Sequence, residues 1–185
     1  MTYEELLDHV RSFTIRDDAP ITAFIARAES SLKTIVRHYL SEKTVTLTVV
    51  DGRAVLPSDF REIRQITGTK LYKPVSPVSA VLNCDEVGYY REGDAVVFVG
   101  IPDAEIQLLY LAAFPALTAD QSNWLLERFP SVYVAAILRE FHRWQVDAEG
   151  VQIEQQALNE ALALVAEDDR RGRQTGTITM GGGKW

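Results

Sequence analysis

Three histidines, one cysteine and a glycine-rich run ending in lysine are the residues whose types and spacing could do chemistry. His38 and Glu42 stand four positions apart, a spacing that on one helical turn supplies half of a metal site. No second histidine or cysteine pair completes it, so the two read as a solvated pair at a helix end. His142, close to Glu140 and Arg143, reads as a surface hydrogen-bonding residue, and His9 stands alone. Cys84 has no second cysteine to oxidise with and no nearby histidine to act as its base, so a small buried hydrophobe is expected there. The run Gly181-Gly182-Gly183-Lys184 lacks the leading glycine, the hydroxyl residue after lysine and the following helix of a phosphate loop. G-x-S-x-G, HExxH and G-x-G-x-x-G patterns are absent. These residues predict no catalytic group, no metal and no cofactor.

Charge and hydropathy narrow the class. The chain has 185 residues, 46% hydrophobic and 24% charged, enough to bury a core without disulfides or metals. It holds no run of 18 apolar residues, so no membrane span is expected, and MTYEELLDHV is acidic and amphipathic rather than a secretory signal. The formal charge of −7 divides unevenly: residues 170–185 carry Arg170, Arg171, Arg173 and Lys184 with no acid, giving +4 there and −11 elsewhere. An acidic body grips DNA poorly, because affinity for DNA comes mainly from neutralising phosphates. The basic end reads either as a docking segment for an acidic partner or as a solvated terminus.

Apolar spacing then sets out the elements that must position these groups. Thr2-Tyr3-Glu4-Glu5 has the spacing of a capping box, and Leu6, Leu7, Val10 and Phe13 follow at helical intervals. After Pro20, the residues Ile21, Phe24, Ile25, Ala28, Leu32, Ile35, Val36 and Tyr39 form one stripe, while Arg27, Glu29, Lys33 and Arg37 fall away from it. At Lys43 the period changes to two: Val45, Leu47 and Val49 alternate with threonines, and Asp51-Gly52 supplies a hairpin turn to Arg53–Leu56. An extended piece with Ile63 and Ile66, a proline-rich loop from Pro74 to Cys84, and a hairpin turning at Glu92-Gly93-Asp94 come next. A last strand puts Ile106, Leu108, Tyr110 and Ala112 on one face. Helical spacing returns with Leu126, Phe129, Tyr133, Ile137, Phe141 and Trp144 as a core stripe, Pro130 either kinking that helix or starting a new one. A final helix carries Leu158, Ala161, Leu162 and Val165 on one face. The expected fold is α+β: an antiparallel helical bundle from both termini (helices 2–14, 20–41, 122–147 and 151–169) with an inserted small antiparallel sheet at about 44–113. Residues 1–169 form one domain, and 170–185 form a flexible tail.

The order of these features resembles the head-to-tail adaptor (connector) proteins of tailed bacteriophages. The shared frame is a strand ending in Phe114-Pro115, a Leu-Thr turn, Asn123-Trp124-Leu125-Leu126, and Pro130 with Tyr133. An alanine-rich helix, an acidic break and a last helix running into an Arg/Gly tail complete it. MTYEELLDHV and Leu56-Pro57-Ser58-Asp59-Phe60-Arg61-Glu62 are similar to that family as well.

The resemblance implies a structural virion protein that forms a dodecameric ring beneath the portal. That ring extends the channel through which DNA passes without specific binding, and it is a platform for tail proteins of nozzle or tail-tube type. It implies residence at the head-tail junction of the virion, and in the host cytoplasm during assembly. The docking segment would comprise Arg170, Arg171 and Arg173 with Thr177, Ile178, Thr179, Met180 and Trp185. The alternation of Thr177 and Thr179 with Ile178 and Met180 suits addition as a strand to a partner's sheet edge. A small cytosolic α+β enzyme or ligand-binding protein, and a monomeric regulatory binding module, remain the alternatives from the residues alone.

Overall fold

Thr2 starts the first helix, α1 (Tyr3–Phe13), as its spacing predicts: its hydroxyl accepts from the Glu5 N–H at 3.2 Å, and the Glu5 carboxylate accepts from the Thr2 N–H at 2.8 Å. The computed structural model describes residues 1–14, 16, 18–78, 87–102 and 104–174, and the chain is α+β. The second helix, α2 (Ile21–Ile35), buries Phe24, Ile25, Ala28 and Leu32 as its stripe requires. It stops well before residue 41. The N–H groups of Tyr39 and Leu40, which a longer helix would give to its own carbonyls, go to Asp169 (2.7 Å) and to the His38 ring (3.2 Å). A short 3₁₀ turn, Tyr39–Ser41, follows.

The helical segment expected over 122–147 is two helices. In α3 (Trp124–Arg128) the Asn123 side chain accepts from the Leu126 N–H at 3.0 Å. The backbone then breaks at Phe129, and Pro130 opens α4 (Pro130–Trp144), where its missing N–H costs nothing. The last helix, α5 (Ala148–Arg173), begins earlier and ends later than the expected 151–169. Gly150 belongs to its first turn, where an added Cβ would collide with the His142 imidazole. Helices from both ends of the chain contribute to one apolar cluster that includes Leu6, Val10, Phe24, Leu32, Tyr133, Ile137, Phe141, Leu158 and Val165. No helix of the described residues is long and apolar enough to cross a membrane.

Contacts divide the chain into two units, Met1–Leu40 with Phe114–Trp185, and Ser41–Ala113. The second unit contains two antiparallel sheets where one was expected. One joins β1 (Glu42–Thr48), β7 (Glu105–Ala112), β3 (Phe60–Thr67) and β4 (Leu71–Tyr72) in that order; the other joins β2 (Arg53–Val55), β6 (Ala95–Val99) and β5 (Gly88–Glu92). Asp51-Gly52 does turn the chain, with φ of 50° and 71° and paired hydrogen bonds between Val50 and Arg53. The strands part immediately beyond. β1 pairs along its length with β7, whereas the three residues of β2 pair with β6. The hairpin from β5 to β6 forms as its turn residues predict, Glu92 opposite Ala95. The predicted inner face of β7 is buried at Ile106, Leu108, Tyr110 and Ala112, in a core shared with Leu47, Val49, Ile66, Val96 and Phe98. Cys84 and most of the expected Pro74–Cys84 loop lie outside the described residues.

Candidate docking site at the end of the last helix

The three arginines expected in a flexible tail are helical. Arg170, Arg171 and Arg173 occupy the last turn of α5, and their side chains reach back along the helix to carboxylates. Arg170 grips Glu167 through two hydrogen bonds of 2.8 and 2.7 Å and also meets Gln174 at 3.1 Å. Arg171 bonds the same carboxylate at 2.7 Å, and Arg173 bonds Asp169 at 2.9 Å. Hydrogen bonds from Arg170 and then Arg171 push the Glu167 carboxyl down to about 2. The run Glu167-Asp168-Asp169-Arg170-Arg171-Gly172-Arg173 is therefore locally neutral, with its cations where the negative end of the helix dipole favours them. Thr177, Ile178, Thr179, Met180 and Trp185 lie outside the described residues.

Around this end of α5 stands a cluster centred on His38. The imidazole is completely buried rather than solvated. Its ring stacks on Trp124 with centroids 4.7 Å apart, lies 4.5 Å from the Tyr39 ring, and meets the edge of Phe129 at 6.0 Å. Nδ1 faces the Leu40 N–H, and Nε2 lies 3.0 Å from the Asp168 carboxylate. The other oxygen of Asp168 accepts from Arg128 at 2.7 Å, and Arg128 also donates to the Tyr39 hydroxyl at 3.2 Å. Asp169 accepts the Tyr39 N–H. Burial pushes the His38 pKa below its ordinary 6.5, outweighing the pull of the two aspartates. Burial raises the Asp169 carboxyl, but Arg173 and the Tyr39 N–H outweigh it and leave it below the ordinary value. Glu42, read with His38 as a solvated pair at a helix end, lies in β1 and pairs with Arg64 at 3.2 Å.

A second buried cluster contradicts the reading of Glu29 as a residue turned away from the core. Glu29 is 6% exposed, and its carboxylate accepts from the Leu117 N–H at 2.7 Å and the Tyr133 hydroxyl at 3.3 Å. Asn123 donates to the Tyr133 oxygen at 2.8 Å and to the Pro115 carbonyl at 3.0 Å. The cluster thus ties the irregular segment before α3 to α2 and α4. His142, as expected, is a half-exposed hydrogen-bonding residue, 2.8 Å from Asp147. His38 and Glu29 escaped sequence reasoning because their partners lie 130 and 88 positions away. No local spacing reports such distances.

Among the described residues no group of three or more His, Cys, Asp or Glu is placed to hold a metal ion. A surface depression of about 440 Å³ beside β1, β3 and β7 is lined by Thr46, Thr67, Gly68, Thr69, Ile106 and Gln107, with Glu105 its one carboxylate. The polar groups gathered at the end of α5 hold a helix terminus in place. A comparison with curated proteins finds no match. The family model described as the SU10 adaptor protein matches residues 1–180, all but the last five. The chain belongs to the SU10 adaptor protein family, a family of bacteriophage head-to-tail adaptors.

Proposed function

We propose that the protein forms a ring, twelve subunits in number, between the portal and the tail of a phage particle. In this reading its helices form an antiparallel bundle from both termini, each subunit presents two different complementary faces to its neighbours, and the ring extends the DNA channel. The tail proteins attach below it. The acidic balance of the chain, formally −7, suits a conduit that lets DNA slide without gripping it. The segment that docks on the portal runs from the last turn of α5 through Thr177, Ile178, Thr179, Met180 and Trp185. Arg170, Arg171 and Arg173 exchange their intrahelical carboxylates for acidic groups of the portal, which favours register and steering more than affinity.

The observation that carries this reading is the family match over nearly the whole chain, together with a last helix that ends in three arginines. Deletion of residues 175–185 tests it. The helix end stays intact in that variant, whereas removal from residue 170 onward would also take away Arg173 and Gly172. The shortened chain is expected to keep its helicity and lose binding to portal-bearing particles seen by electron microscopy. Assembly on those particles equal to that of the full chain would remove the docking role.

A further inference from the structure

We propose that the cluster around His38 is a latch: the neutral imidazole bolts the last turns of α5 in place, and a single proton on the ring releases them. The proposal rests on the docking role given above, since it concerns how the docking segment is presented.

The hydrogen-bond network assigns the tautomer. The Leu40 N–H points at Nδ1 at 3.2 Å, so Nδ1 is an acceptor, and the ring proton sits on Nε2 and is donated to Asp168 at 3.0 Å. Protonation sets two N–H groups against each other at Nδ1 and leaves the Leu40 donor without its acceptor. The charges around the ring point the same way. Facing it are Asp168 and Asp169 from α5, Arg128 from α3, and Tyr39 from its own segment. Asp168 is already paired with Arg128, and Asp169 with Arg173. An imidazolium is therefore a surplus cation at a position with no exposure to water.

The helix end is also fitted to this segment by shape. Gly172 lies so close to Tyr39 that a Cβ would collide with the phenol ring. A glycine inside a helix is destabilising relative to alanine, so its place here answers to the close approach. Displacement of the His38–Tyr39 segment passes directly to the turn that carries the arginines.

Amide hydrogen exchange of the full chain between pH 7.5 and 5 tests the latch. Corrected for intrinsic chemistry, protection over residues 166–173 should fall by up to about tenfold per pH unit once the pH is below the ordinary imidazole value, while α4 around Ile137 keeps its protection. His38→Gln retains a donor toward Asp168 and cannot become a cation, so its protection should be indifferent to pH. Gly172→Val should loosen the same residues at pH 7.5 by displacing Tyr39. Constant protection in the unaltered chain, or the same pH profile in His38→Gln, overturns the latch, and full protection in Gly172→Val removes Tyr39 from it. Binding of these chains to portal-bearing particles is read separately. If protection behaves as expected and binding follows neither it nor the arginines, the latch stands and the docking role falls.

Discussion

Two polar clusters interrupt the helical unit, and the solvent treats them differently. Around Glu29 the hydrogen-bonded groups are sealed: Glu29, Asn123 and Tyr133 are between 0 and 6% exposed, and Lys33, 31% exposed, closes the carboxylate's outer side at 3.9 Å. Around His38 only the ring is sealed, while the side chains of Asp168 and Arg128 are 25% and 46% exposed. A sealed cluster has no alternative partner, so breaking it exposes the full cost of unpaired buried groups. An open one can exchange its ion pairs for water or for another protein at little cost. The first cluster suits a structural staple, and the second suits an end that must be held and also let go.

The largest effect sets the scale for that contrast. Phe141 packs against Phe24 and Trp144, and Phe141→Ala should cost about 3–5 kcal/mol in a denaturant titration. Glu29→Leu takes the acceptor from the Leu117 N–H and from the Tyr133 O–H and should cost about 2–4 kcal/mol, measured the same way. A loss under about 1 kcal/mol would mean the staple is dispensable and would break the comparison.

A smaller effect of opposite sign comes from the turn between α4 and α5. Val146 is held at φ 60° with its side chain 89% exposed, a conformation that a β-branched residue adopts only under strain. Val146→Gly should stabilise the chain by about 1 kcal/mol in thermal or chemical unfolding. A loss instead would show that this side chain contributes more to the turn than its exposure suggests.

Acid should separate the clusters further. His38 has a depressed pKa when folded, so the unfolded chain binds the proton more readily. Its contribution to stability is complete above the ordinary value of 6.5 and is lost as the pH falls from there through the folded pKa. Urea titrations from pH 7.5 to 5 should show that decline in the unaltered chain and in Glu29→Leu alike, and not in His38→Gln. The smallest effect on stability belongs to the arginines. Arg170→Ala with Arg171→Ala removes exposed intrahelical pairs and should leave the thermal midpoint unchanged. The same chain should lose portal binding, and unchanged binding would assign those residues to helix termination alone.

Much of the local structure was legible because its causes are local. The Thr2 capping box, the Asp51-Gly52 turn, the β5–β6 hairpin and the alternating face of β7 each depend on residues within a few positions of one another. The stripe of Leu126, Tyr133, Ile137 and Phe141 was readable for the same reason. Boundaries suffered where a distant group competed for a backbone donor. Apolar spacing carries α2 to residue 41, and Asp169 and His38 take the N–H groups of Tyr39 and Leu40 instead. The two sheets were read as one because a turn specifies a reversal of the chain, whereas pairing partners depend on which strand offers the longer ladder.

By itself the sequence determined the α+β class, the switch of period that encloses the β segment, the core stripes and the order of features by which the adaptor family is recognised. Those properties follow from periodicity, capping and turn chemistry, which act over one or two turns of chain. Tertiary structure alone decided that Glu29 and His38 are buried, that Arg170, Arg171 and Arg173 are helical and paired, and that Gly172 must be a glycine. A buried polar side chain is tolerated only where folding delivers its hydrogen-bond partners. Here those partners arrive from 88 and 130 positions away, beyond the reach of any periodicity.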